Sequence, residues 1–221
     1  AGNAWLEIPE VRQFQGHDLN GFYEFDEECV PAQPARIVEQ GVLKTFLLSR
    51  SPTRGFTKSN GHGRRQPGMP LVARMGNLLV ESTQTVTFPE LRSRLIAECK
   101  KQGKEYGLLF DDISGGFTMT ERFMPQAFKV IPIIVYRVHS DGRPDELVRG
   151  VDIVGTPLTC FSRILCTADD PDIFNGFCGA ESGSVPVSAI SPSILVEQIE
   201  IEKKQKAQDR PPILPAPIAE K

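Results

Sequence analysis

Turn-forming residues interrupt this sequence so often that it has little room for long regular helices: 19 glycines and 18 prolines are spread along 221 residues. Proline removes a backbone donor and clashes inside a helix, while glycine weakens the interiors of helices and strands and favours turns. Such punctuation predicts many short segments and a sheet-rich architecture. A chain of this length buries roughly 70% of its unfolded surface, which supports one large domain, or one domain with a small lobe.

Local patterns place individual elements within that frame. Apolar Ile37, Val38, Val42 and Leu43 flank Gln40-Gly41, a hairpin signature in which glycine supplies a positive φ. Asp141-Gly142 marks a second hairpin between two strand candidates, with a connection longer than two residues. The clearest helix is "TFPELRSRLIAECKKQG". Thr87 caps it, Pro89 sits in its first turn, Gly103 stops it, and Leu91, Leu95, Ile96 and Cys99 share one face. Cys99 on that stripe reads as a small core residue. "TPLTCFSRILC" predicts a second helix, capped by Thr156 with Pro157 at its first position, burying Leu158, Phe161 and Leu165. "SILVEQIEIE" reads as a final strand, and the Pro-rich end as an extended, solvated tail.

Residues 51–70 read as a long polar loop. Two acidic groups read as structural rather than catalytic. Glu24 and Asp26 alternate along a predicted strand with a solvated face, and Asp111-Asp112 end the strand "YGLLFDD" before a Ser114-Gly115-Gly116 turn.

The formal net charge is -3, with no basic footprint for nucleic acid or an anionic membrane, so neither is an expected partner. The longest apolar run, Val130 to Val138, is interrupted by Pro132 and falls short of the roughly 18–20 residues that span a bilayer. Five cysteines, an odd number without C-x-x-C spacing, favour free thiols. His17, His62 and His139 form no H-E-x-x-H or other close metal pair, and neither a G-x-S-x-G elbow nor a Walker A loop occurs.

Two stretches carry chemical interest. "KSNGHGRRQPG" gathers Lys58, Arg64 and Arg65 around Gly61 and Gly63, an arrangement suited to a carboxylate or phosphate. Spacing alone favours the plainer alternative, an exposed turn with solvated arginines. Cys178 lies in "NGFCGAESG", between Gly176 and Gly179, in what reads as a flexible loop. A buried small hydrophobe, a nucleophile and a metal ligand are all compatible with that setting. A nucleophile needs a histidine partner, and a catalytic zinc needs about three protein ligands and an open position. Neither set is complete in sequence order.

Read together, "EFDEECVPAQPARIVEQGVLKTFLLSR", "SNGHGRR", "VRGVDIVGTPL" and "FNGFCGAESGSVPVSAISPSILVEQIEI" resemble, in family order, the C-terminal domain of the TldD/PmbA metallopeptidases, also called modulators of DNA gyrase. The resemblance covers Gly21 to Ile201. It implies an α+β, β-rich domain over residues 1–202, mostly antiparallel sheet or barrel-like with a few helices, followed by the 203–221 tail. In protease-type members an upstream H-E-x-x-x-H helix gives two histidine ligands and a glutamate, and a cysteine in a glycine-flanked loop completes a zinc site. The matching position is Cys178.

No such helix occurs in this chain, so the resemblance implies a C-terminal domain that is inert and zinc-free alone, within a zinc metallopeptidase parent. Gly61, His62, Gly63, Arg64 and Arg65 match a family segment usually closer to T-G-N-G-R-R, with His62 at the asparagine position, which implies a place in the substrate cleft. The implied partners are a peptide or unfolded-protein substrate and a second subunit, as a homodimer or a TldD/PmbA-type heterodimer. The alternative is a non-catalytic partner or scaffold that holds peptide without metal. "CGAESGSVPVSAISPSIL" and "DRPPILPAP" resemble a divergent branch, which leaves cytoplasm and periplasm both open.

Overall fold

The computed structural model describes residues 3–119 and 127–204. In chain order the elements begin with β1 (Asn3–Glu7), β2 (Gln13–Phe14), β3 (His17–Asp18), β4 (Ala35–Glu39), β5 (Val42–Leu43), β6 (Gly63–Arg64), β7 (Val72–Ala73), β8 (Asn77–Ser82) and β9 (Thr85–Val86). Then come α1 (Phe88–Lys101), β10 (Tyr106–Met119), β11 (Ala127–His139), β12 (Glu146–Val148), β13 (Val151–Gly155) and α2 (Pro157–Ser162). The last are β14 (Ile164–Ala168), β15 (Asp172–Ala180), β16 (Gly183–Ser191), β17 (Ile194–Val196) and β18 (Glu200–Lys203). The strand-rich α+β expectation holds, and among the described residues every sheet is open rather than closed into a barrel.

The chain divides into two compact units: Ala1–Arg94 with Ile164–Leu195, and Leu95–Arg163 with Val196–Lys221. In the first, a six-stranded sheet runs β15-β16-β8-β1-β4-β5. Its pairings are antiparallel except β16 against β8, which is parallel. At the β4–β5 turn Gln40 and Gly41 both have positive φ, 50° and 77°, the geometry that matches strand twist in two-residue hairpins. The core of this unit gathers Val185, Val187 and Ile190 of β16 with Ala35, Ala168 and Leu195, all buried.

The stretch holding Glu24 and Asp26, expected as a strand, forms only an isolated bridge of Phe25 to Pro31. Asp26 is buried there instead of facing water, and its carboxylate accepts the amides of Glu28, Val30 and Gly63, each at 2.9 Å. A carboxylate satisfied by three backbone donors organises a loop, which agrees with its structural reading.

The second unit is built on the long β10–β11 pair, in a sheet ordered β10-β11-β13-β18 with β12 also on β11. Asp111 and Asp112 do not end a strand. β10 continues to Met119 through register shifts between Phe110 and Gly115, so the glycines that suggested a turn instead accommodate bulges. β13 and β18 are fastened by Asp152, which pairs with Lys129 at 3.0 Å and with Lys204 at 3.3 Å.

Helix α1 forms as expected: the Thr87 hydroxyl accepts the Glu90 amide at 3.4 Å, Gly103 has φ 66°, and Leu91 and Cys99 are buried. Helix α2 begins with Pro157 at its first turn, but it is a six-residue helix, and Thr156 makes no side-chain cap to its backbone. Its predicted stripe is exposed, with Leu158 76% accessible, because one and a half turns end before a face can be built and Leu165 already belongs to β14. "SILVEQIEIE" likewise splits into β17 and β18, which lie in different sheets. Lys203 completes β18 and Lys204 donates its amide to the Gly150 carbonyl; residues 205–221 of the expected tail lie outside the described set.

Candidate functional site: a buried arginine clamp on the Cys178 hairpin

The segment 59–66 is held from within rather than displayed. Asn60 donates its side-chain amide to the Phe46 carbonyl at 3.0 Å, and its Oδ1 accepts the Leu48 amide at 2.8 Å. His62 Nδ1 lies 2.9 Å from both the carbonyl and Oδ1 of Asn60, two acceptors, so this nitrogen carries the proton. His62 Nε2 is buried with no hydrogen-bond partner among the described residues. Burial lowers the imidazole's pKa to about 4, against the opposing effect of its bond to Asn60, so the ring is neutral. Gly61 is required beside it: φ is 78°, and a Cβ would stand 2.3 Å from the Pro31 carbonyl oxygen.

Strands β6 and β7 pair, Gly63 with Ala73 and Arg64 with Val72, and thereby bring Arg64 and Arg74 to the same part of the unit. Arg64 Nη1 donates to the carbonyls of Met75 and Pro186, both at 2.8 Å, and the guanidinium lies 4.7 Å from the Tyr23 ring centre. Burial lowers the arginine's pKa, while Tyr23, Glu27 and Glu7 favour the cation. Tyr23 donates its hydroxyl to the Gly61 carbonyl at 2.8 Å. Glu7, 1% exposed, accepts the Gly76 amide at 2.9 Å, and burial raises its pKa to about 7.

Arg74, 6% exposed, donates Nη1 to Ser182 Oγ at 2.7 Å and to the Gly183 carbonyl at 3.1 Å, and Nη2 to the Cys178 carbonyl. Gln66 adds two bonds to the same turn: its amide donates to the Ser182 carbonyl at 2.8 Å, and its Oε1 accepts the Ser184 amide at 3.0 Å. The 61–74 segment is therefore fastened onto the β15–β16 hairpin.

Cys178 is not in a loop. It lies within β15, opposite Val185, three residues before the Glu181-Ser182 turn. Its neighbouring glycines do separate jobs: a Cβ at Gly176 would meet the Phe174 ring at 2.7 Å, whereas Gly179 faces open space. The thiol residue is half-buried and adjacent Phe177 is 71% exposed.

Among the predicted site residues, Gly61, His62, Gly63 and Arg64 are buried and Arg65 alone is exposed. The exposed-turn alternative thus fails for Arg64, and the structure joins this motif to the Cys178 hairpin through a bond between residues 122 positions apart. Sequence reasoning missed Arg74, Glu7 and Tyr23; the one available signal was a charged residue within the otherwise apolar "LVARMGNLLV".

Among the described residues no three His, Cys, Asp or Glu side chains converge as a metal cluster. Half-buried Cys178 offers a single soft sulfur donor, a ligand type compatible with zinc.

The family profile described as the PmbA/TldA metallopeptidase C-terminal domain matches residues 15–203. A metalloprotease from Archaeoglobus fulgidus is 31% identical over 182 residues, covering 79% of this chain and 38% of that protein. A metalloprotease TldD homolog from Buchnera aphidicola is 26% identical over 194 residues, covering 82% of this chain and 35% of its own length. The chain thus spans little more than a third of these relatives. The crystal structure of TldE from Thermococcus kodakarensis shares the fold, with a TM-score of 0.61 at 14% identity, over 90% of this chain and 39% of that one.

Proposed function

Because the chain belongs to the PmbA/TldA metallopeptidase C-terminal domain family, we propose that it supplies Cys178 as one zinc ligand, and part of the peptide cleft, to a TldD-type metallopeptidase. The remaining ligands in this reading come from an H-E-x-x-x-H helix outside the chain, and residues 1–202 act as the C-terminal domain with 203–221 as its tail. The observation that carries the proposal is the anchoring of the Cys178 backbone by buried Arg74, beside a thiol left half-buried at the end of a hairpin. A donor on a backbone held this way keeps its direction when a metal arrives.

Zinc bound there supplies a Lewis acid and lowers the pKa of a bound water to about 7. The chain's own residues do the rest. Arg74, Gln66 and Arg64 hold the hairpin, Gly61 to Arg64 shape the cleft from behind, and Arg65 is the exposed cation of the motif for a peptide carboxylate. The TldD and TldE likenesses support assembly with a TldD/TldE-type subunit.

The test is zinc content and peptide hydrolysis in the longer polypeptide that carries the helix. Wild type should hold zinc stoichiometrically, and Cys178→Ala should bind zinc markedly more weakly and lose hydrolysis. Undiminished zinc affinity in Cys178→Ala would refute the ligand assignment.

A further inference from the structure

A metal-binding cysteine needs its Cα held as firmly as its sulfur is soft, and the Cys178 hairpin has little intrinsic means of doing so. Gly176, Gly179 and Gly183 surround it, β15 is an edge strand of its sheet, and Gly183 turns with φ 82°. Glycine at these positions leaves the backbone entropically free. The β15–β16 ladder, Gln66 and Arg64 hold parts of the hairpin, and the side chain that bonds the Cys178 carbonyl itself is Arg74. Among the described residues the Arg74 guanidinium bonds three acceptors of this hairpin: the carbonyl of Cys178 on one strand, the hydroxyl of Ser182 in the turn, and the carbonyl of Gly183 on the other strand. Its own position is set in turn by its amide, which donates to the His62 carbonyl at 2.9 Å.

A guanidinium is planar and presents its donors as a rigid fork, so three acceptors on one fork cannot shift independently. The fork is almost wholly removed from solvent, where such bonds are stronger and a vacated acceptor is costly. We propose that Arg74 is a positioning residue for Cys178, fixing the ligand's own carbonyl and both sides of its turn so that the thiolate meets the metal already oriented. This inference rests on the reading of Cys178 as a ligand. It also gives His62 of "SNGHGRR" a role in the site besides shaping the cleft, since its carbonyl accepts the Arg74 amide and so fixes the platform from which Arg74 reaches.

The experiment measures zinc affinity by chelator competition in the longer polypeptide carrying the histidine helix. It also follows the thiolate-to-metal charge-transfer band of the Co2+-loaded form. The variants are Arg74→Lys, Arg74→Ala, Ser182→Ala, Cys178→Ala and the Arg74→Lys/Cys178→Ala double, each first checked for cooperative unfolding. Lysine offers a point charge in place of the fork, so Arg74→Lys should weaken zinc about 10- to 100-fold and diminish the band, the loss typical of an outer partner of a metal ligand. Ser182→Ala should have a smaller effect of the same sign. In the Cys178→Ala background, Arg74→Lys should change affinity no further, because its action passes through the missing thiolate.

Wild-type affinity in a folded Arg74→Lys protein overturns the positioning role and leaves Cys178 as a ligand. The same fold-loss from Arg74→Lys with or without Cys178 also overturns it, by showing general destabilisation. Unchanged affinity in Cys178→Ala removes the ligand reading and the positioning role together. If Arg74→Ala does not fold, Arg74→Lys and Ser182→Ala carry the comparison.

Discussion

Glu7 accepts the Gly76 amide at 2.9 Å from a position 1% exposed, and His62, fully buried in the same unit, is held neutral by the same loss of solvent. Their effects on stability oppose one another. The Glu7 pKa is raised from 4.5 to about 7, so its contribution is complete below pH 4.5 and is lost as pH rises through 7. The His62 pKa is lowered from 6.5 to about 4, so its contribution is complete above pH 6.5 and is lost as pH falls through 4. Between those limits the two slopes nearly cancel. Glu7→Gln should unmask the histidine: urea unfolding should show stability rising from pH 4 to 6.5, and at pH 8 a gain over wild type of up to about 3 kcal/mol. Parallel pH profiles for variant and wild type would contradict the assignment to Glu7.

Arg64→Ala removes donors from the buried carbonyls of Met75 and Pro186 and the cation from the Tyr23 face. Each stranded acceptor costs about 1–3 kcal/mol, so the variant should lose about 3 kcal/mol or more. Hydrogen exchange should localise the loosening to β16 around Pro186. A substitution at Arg65, which is exposed, should leave stability within about 0.5 kcal/mol.

Gly61 and Gly68 have similar φ, 78° and 84°, but a Cβ at Gly61 would strike the Pro31 carbonyl while one at Gly68 meets nothing within 4 Å. Gly68→Ala should therefore cost only the left-handed penalty of about 1–2 kcal/mol. Gly61→Ala should cost clearly more, because backbone must move as well. Equal midpoints in paired denaturant titrations would show that the loop yields to the clash.

Thiol labelling should order the cysteines by depth. Cys29 is exposed and should react first under native conditions, whereas Cys99, buried on α1 with its pKa raised by burial, should react only on unfolding. Rapid native-state labelling of Cys99 would mean that α1 opens locally.

Local chemistry made α1 and the β4–β5 hairpin legible. A Thr cap, a first-turn proline, a stop glycine and a four-residue apolar stripe all act within one helix, and Gln40-Gly41 sets its own turn. The same kind of reasoning misjudged α2, where Leu158, Phe161 and Leu165 have helical spacing but too few turns to use it. It also misjudged the glycines of β10 and β15. Glycine signals a turn, a bulge and a close contact with the same letter, and only the neighbour decides which: the Lys129 carbonyl close to Gly116, or the Phe174 ring close to Gly176.

The sequence by itself determined the family, the sheet-rich class and the two stretches of chemical interest, "SNGHGRR" and the segment around Cys178, because those are carried by ordered motifs along one chain. Tertiary structure decided that Arg64 and Arg74 face inward onto the Cys178 hairpin instead of outward to solvent. An arginine's worth depends on how many acceptors surround its fork and how little water does. Those acceptors, at Cys178, Ser182, Gly183 and Pro186, come more than a hundred residues later and become its neighbours only when the unit folds.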